Sequence, residues 1–194
     1  MVTIRDEKIS DIAAREALLD VAYGAERFTK TSACLREGRL PADRLALVAV
    51  EHGQIIGTVR LWHVTAGPGR PALLLGPLAV DPAHRNRGIG STLMGRAIVR
   101  ARLAGHGAIL LVGDVPYYGR FGFAAAKTGE LWMPGRFERD RLLALELKPE
   151  ALTGARGMIA ATGALAPAPE LAALVAQDRR TQRVRLRAHR ALAA

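Results

Sequence analysis

A chain of 194 residues, 49% of them hydrophobic, suits one domain with a substantial core plus an extension. Its net charge of +10 favours polyanionic partners of any kind, nucleic acid, anionic membrane or phosphorylated ligand, and so selects none of them. No apolar run approaches the roughly 20 residues of a membrane span, no secretory signal is evident, and the single cysteine, Cys34, excludes an intrachain disulfide and a zinc site of the usual kind, so a cytoplasmic protein without a metal is expected.

Val2 to Arg5 reads as a first strand. A helix from about Asp11 to Ala22 follows, which Ser10 can cap, with Ile12, Leu18, Leu19 and Val21 on its apolar face. Thr31 to Gly38 allows a second, short helix. Leu45 to Val50 and Ile55 to Val64 are strands joined by a tight turn at Glu51-His52-Gly53. After a Gly/Pro-rich loop at 67–71, Ala72 to Val80 is an apolar run that reads as a buried strand. The chain then passes Arg85-Asn86-Arg87-Gly88-Ile89-Gly90 and enters a helix, Ser91 to Ala104, with Leu93, Ala97, Ile98 and Ala101 on one face. Strand 108–112 and a short helix around Val115 to Phe121 come next, and residues 124–133 and 141–147 are expected to pair as a final hairpin around Pro134-Gly135. This order implies a mixed α/β sheet with its ligand at the carboxyl ends of the central strands.

The turn at 85–90 carries the chemistry. The first N–H groups of a helix have no intrahelical partner and sit at the positive end of its dipole. Gly88 and Gly90 remove side chains that would hold a phosphate away from those donors, and Arg85 and Arg87 add charged donors nearby. A dinucleotide fingerprint would need a third glycine where Leu93 stands, and a Walker A loop needs a Gly-Lys pair that the chain lacks. Arg-x-x-Gly-x-Gly between strand and helix is what remains.

This pattern resembles motif A of the GNAT (N-acetyltransferase) superfamily, whose loop holds the pyrophosphate of acetyl-CoA. A second segment, Gly113-Asp114-Val115-Pro116-Tyr117-Tyr118-Gly119-Arg120-Phe121-Gly122-Phe123, is similar to motif B of the subset carrying Gly-Asp-x-x-Tyr-Tyr-x-Arg-Phe-Gly-Phe. The two occur in order, about 30 residues apart, and the resemblance extends over roughly residues 1–160. It implies a mixed, mostly antiparallel central sheet splayed between the fourth and fifth strands and flanked by helices. It also implies an acetyltransferase domain over 1–163, followed at 164–194 by a basic, Ala/Arg-rich extension, helical or partly disordered.

The resemblance implies roles as well. Leu78, Ala79 and Val80 would pair with the pantetheine amides, with a backbone N–H near Val80 as oxyanion donor. Such a preorganised donor contributes ~3–4 kcal/mol when correctly aimed. Arg85, Asn86, Arg87, Gly88, Ile89, Gly90 and Ser91 would take the pyrophosphate. Tyr118 would give a proton or hydrogen bond to the leaving sulfur, with Tyr117 facing another way. From its position at the end of strand 108–112, Asp114 could hold or deprotonate an ammonium, or equally cap the next helix; Glu51 and His63 are further candidate bases, and an amine of moderately low pKa can lose its proton through ordered water without one. The acceptor is expected to be a primary amine, of a small molecule or a protein, met by the segments 22–44, 64–71 and 124–140. Two other readings stand beside this one: an acyl-CoA-binding regulator without turnover, and an acetyltransferase of aminoacyl-RNA. The run of Arg179, Arg180, Arg183, Arg185, Arg187 and Arg190 could serve RNA, but no aromatic residue interleaves with it, and nucleic acid is not favoured. Family members often dimerise through a final strand.

Overall fold

The structure is a computed structural model, and it describes residues 1–167. Its frame comprises β1 (Thr3–Asp6), β2 (Ala46–Glu51), β3 (Gln54–Ala66), β4 (Pro71–Val80), β5 (Ala108–Val112), β6 (Leu131–Trp132), β7 (Leu142–Glu146) and β8 (Gly157–Ala161). The sheet runs β1-β2-β3-β4-β5-β7, antiparallel at every pair except the parallel β4–β5. β8 adds antiparallel to the end of β3 and carries β6 beside it. The helices are α1 (Ile12–Tyr23), α2 (Thr31–Cys34), α3 (Ile89–Leu103) and α4 (Val115–Tyr118). The expected mixed, mostly antiparallel sheet flanked by helices is what the chain forms.

The apolar strands are continuous because both faces of the central sheet are covered. Leu73, Leu75, Ile109 and Leu111 point to one face, where they pack against Leu93, Met94, Ala97 and Ala101 of α3. Leu74 and Leu110, one residue out of phase, point to the other, among Trp62, Leu131, Leu142 and Ile159. Burying a side chain such as Leu93, fully enclosed here, contributes about 1.5–3 kcal/mol.

Several local expectations are corrected. Ser10 does not cap α1; Ile9–Asp11 form a short 3₁₀ turn instead. The Asp11 carboxylate accepts the Lys8 N–H at 2.7 Å and is held by Arg5 at 2.5 and 3.0 Å. The Arg5 hydrogen bond, outweighing the cost of burial, pulls the Asp11 pKa down to about 2. The buried face of α1 is Arg15, Leu18 and Leu19, with Ala22 packed beside it, so Val21, two residues on from Leu19, and Ile12, in the first turn, are exposed. The helix at 31 ends at Cys34 rather than Gly38.

The final hairpin does not form. β7 alone joins the sheet, along β5, and only Ala124 of the preceding segment bridges to it, at Ala144. A 3₁₀ turn at Ala125–Lys127 breaks the strand that a hairpin would need, and β6 turns away to pair with β8, for which the sequence reading has no counterpart. The Ala/Arg-rich extension lies, from residue 168 onward, outside the described residues.

The feature that positions the site is the parting of β4 from β5. Only Leu73–Ile109 and Leu74–Leu110 are paired, although β4 runs on to Val80. Meanwhile β4 stays with β3, with one extra residue: Val59 faces Leu78, but Leu61 faces Leu75. That bulge falls at Gly76-Pro77, where the Trp62 Nε1–H donates to the Gly76 carbonyl at 2.6 Å. The strand bends there, and a gap opens between Leu75–Leu78 and the end of β5.

Candidate active site

The phosphate-type loop sits where the sequence places it. Gly88 precedes α3 with φ of +75°, a conformation that a side chain makes costly, and α3 begins at Ile89. Among the described residues, the backbone N–H groups of residues 87–91 donate to no protein acceptor. Those of residues 88–91 belong to the lining of a cleft of about 410 Å³, with Val80, Arg85, Asn86, Tyr117 and Arg120. A Cβ on Gly90 would lie 2.9 Å from the Tyr117 hydroxyl, so the absent side chain there makes room for that tyrosine.

One expected donor is engaged elsewhere. The Arg87 guanidinium makes a two-pronged bond to Glu51 at 2.9 and 2.7 Å, fastening the loop to the β2–β3 turn, and Arg87 does not line the cleft. The same bond pulls the Glu51 carboxyl down to about 2, which makes Glu51 a poor base. Arg120 does line the cleft, its guanidinium 4.6 Å from the centre of the Tyr117 ring. Arg120 stands within the Tyr-Tyr-x-Arg-Phe-Gly-Phe stretch, so its signal was present in the sequence.

The gap between β4 and β5 forms a second cavity of about 190 Å³, with Leu75–Leu78 on one wall and Val112–Asp114 on the other. Tyr118 reaches into it from α4, while Tyr117, its ring 4.9 Å away at 81°, turns to the phosphate-type cleft. Adjacent tyrosines thus serve adjacent cavities. The Tyr118 ring takes the space a side chain at Gly113 would need: a Cβ there would be 2.1 Å from the ring. Gly113→Ala should therefore displace Tyr118 and destabilise the fold by about 1–3 kcal/mol, read as a lowered midpoint of thermal unfolding. Burial pushes the Tyr118 phenol well above its ordinary pKa, with Tyr23, Tyr117 and Asp114 adding to the effect and Arg141 opposing it.

Asp114 stands at the N-terminus of α4, and its carbonyl accepts the N–H groups of Tyr117 and Tyr118 at 3.0 Å. Its carboxylate makes no capping bond and instead pairs with Arg141 at 3.1 Å, on the cavity wall. His63 is elsewhere, 5.4 Å ring to ring from His106. Tyr23, at the end of α1, lines the cavity and donates its hydroxyl to the Leu78 carbonyl. Arg36, just past α2, lines it too. Both fall in the segment 22–44, which the sequence marks only as acceptor-side.

Backbone direction along β4 follows from its bonds. The Asp81 N–H donates to Ile56 across β3 at 2.9 Å, and strand geometry reverses at each residue, so the Val80 N–H faces away from β3, towards the open side. The Leu78 carbonyl, bonded to Tyr23, points the same way.

A helix start with unpartnered N–H groups beside a splayed parallel strand pair, with one tyrosine turned to each cavity, is the arrangement of an acetyltransferase-type α/β protein. The family model for the acetyltransferase (GNAT) family matches residues 12–123, more than half of the 194-residue chain, and the chain belongs to that family. Among curated relatives, the uncharacterised N-acetyltransferase YhbS of Escherichia coli is 29% identical over 158 residues, which span 80% of this chain and 93% of the relative. The crystal structure of YhbS in complex with CoA superposes with a TM-score of 0.71 over 83% of this chain and 89% of that one. A GNAT acetyltransferase from Brucella melitensis, in complex with acetyl-CoA, is 28% identical with a TM-score of 0.63, covering 84% of this chain and 96% of the other. Among the described residues, no group of three or more His, Cys, Asp or Glu could hold a metal ion.

Proposed function

We propose that the protein transfers an acetyl group from acetyl-CoA to a primary amine by direct attack in a ternary complex, with the chemistry carried by residues 1–163. The observation that carries this reading is the pairing of two cavities through α4: unpartnered N–H groups of residues 88–91 in one, Tyr118 and the open side of β4 in the other. The donor set fits CoA. The α3 N-terminus with Arg85, Asn86 and Arg120 suits a pyrophosphate, and the backbone groups of Leu78 and Val80 on the open edge suit the pantetheine amides, with those of Ala79 between them turned to β3. That YhbS and the Brucella protein bind CoA or acetyl-CoA supports the same reading.

At the reacting end, Asp114 attracts the incoming ammonium, which gives up its proton to ordered water and attacks as the free amine. The Val80 N–H stabilises the oxyanion as the C–N bond forms. Tyr118 then hydrogen-bonds or protonates the sulfur as the C–S bond breaks. Calorimetric titration with acetyl-CoA and with CoA tests the proposal. Micromolar binding of both, with thiol release once an acceptor amine is supplied, is the expected result. A folded protein that binds neither would overturn it.

A further inference from the structure

The splay cavity is charged in a way that a plain amine would not favour. Its lining carries four cations, Arg27, Lys30, Arg36 and Arg141, against one carboxylate, Asp114. Arg27 is satisfied by Glu16 and Asp20, and Arg141 by Asp114 and Glu138. Arg36 is not. Its Nε donates to the Ser32 carbonyl at 2.9 Å, and among the described residues no carboxylate pairs with it. Lys30 stacks its ammonium 4.8 Å above the Tyr23 ring and likewise has no acidic partner among them.

Arg36 is also well placed to meet a ligand. One terminal nitrogen lies 3.6 Å from where a Cβ on Gly76 would stand, beside the β4 bulge. It stands at a junction, because it also lines a neighbouring cavity of about 360 Å³ with Trp62, Phe28 and Leu19. Burial works against its charge and lowers its pKa to about 10, so it remains cationic at neutral pH while lacking the anion that would offset its desolvation. A half-buried guanidinium with its terminal nitrogens unpaired is a docking point for an oxyanion.

We propose that the acceptor is an anionic amine: a small amino acid-type molecule whose carboxylate is held by Arg36, with Lys30 at the rim, while its amine is presented to Tyr118 and Asp114. This rests on the acetyltransferase reading and narrows its substrate class. The carboxylate neutralises the cationic wall that would otherwise repel an ammonium, and the separation of Arg36 from Asp114 across the cavity orients the molecule.

The test begins with calorimetry, because a protein that fails to bind acetyl-CoA overturns the acetyltransferase reading itself, before any acceptor is considered. For a protein that binds it, thiol release is then followed with a panel of α- and ω-amino acids, small and apolar, each beside its neutral carboxamide. The expected result is a kcat/KM about tenfold or more higher for acids than for their amides, the size of one charge-assisted hydrogen bond. Arg36→Gln should collapse that ratio by raising KM for the acid, with kcat and acetyl-CoA affinity retained, and Arg36→Lys should restore part of it. Unchanged acetyl-CoA affinity in the variants shows that they are folded. Equal use of acids and amides, turnover confined to neutral or polycationic amines, no member of the panel accepted, or an acid preference that survives Arg36→Gln would each overturn the inference.

Discussion

Gly88→Glu should abolish acetyl-CoA binding while leaving the protein folded. Gly88 precedes α3, and nothing lies within 4 Å of the point where its Cβ would stand, so the new side chain meets no steric obstacle. Its left-handed φ makes any non-glycine residue costly, by roughly 1–2 kcal/mol. An acidic side chain at a helix N-terminus offsets part of that cost through the helix dipole. The loss of binding has a different origin. A carboxylate at that position competes for the N–H groups of residues 88–91 and repels the pyrophosphate those groups are proposed to hold. Each charge-assisted bond lost is worth about 1.5–3 kcal/mol, so affinity should fall by at least about a hundredfold. Gly88→Asn separates strain from charge, since asparagine tolerates the left-handed region and carries no charge, and should retain most of the affinity. Calorimetry beside thermal unfolding reads both. A Gly88→Glu protein that binds acetyl-CoA like the parent would place the pyrophosphate elsewhere.

Much of this site was legible because its determinants are local. A helix start, two glycines and an apolar strand on either side are properties of adjacent residues, and the positions of β4, α3 and β5 follow from them. What escaped depends on contacts between distant segments. Arg87 looked like a phosphate ligand, but Glu51, 36 residues away in sequence, claims its guanidinium with a geometry that a flexible phosphate loop would have to better. Tyr23 and Arg36 carry no motif, and only the folding of the segment after α1 against the β4 bulge brings them to the cavity. The C-terminal error has the same root. Residues 124–133 are apolar enough to be read as a hairpin partner for 141–147, yet they meet that strand only at Ala124–Ala144, turn at Ala125–Lys127, and give Leu131–Trp132 to β8, a partner 26 residues further along the chain. Short apolar runs show that a strand exists and leave its partner undetermined.

Tyr118→Phe should lower kcat by roughly 10²–10⁴-fold, the range for loss of a positioned proton donor, with acetyl-CoA affinity within about twofold of the parent. The substitution is conservative for the fold. The ring packs at the edge of the main core and on Gly113, whereas the hydroxyl bonds to no protein group among the described residues, so the unfolding midpoint should hardly move. The pKa shift sharpens the expected behaviour. Because the phenol is raised above its ordinary value of about 10, it stays protonated through the working range, and Tyr118 contributes no alkaline fall in kcat below about pH 10. A phenol so raised is a weaker acid than a thiol of pKa about 8.5 in water, although the same cavity also desolvates the departing thiolate and raises its pKa. The balance favours a strong hydrogen bond to the sulfur as the C–S bond lengthens, with the proton following, over complete transfer beforehand. A pH–rate profile of the parent checks the first point. An alkaline limb below pH 10 that vanishes in Tyr118→Phe would mean that the phenol titrates in an environment less buried than this one. If the variant kept full kcat, Tyr118 would be a packing residue, and the donor would have to come from another group on the cavity wall, where Ser32 and Tyr23 carry the other hydroxyls.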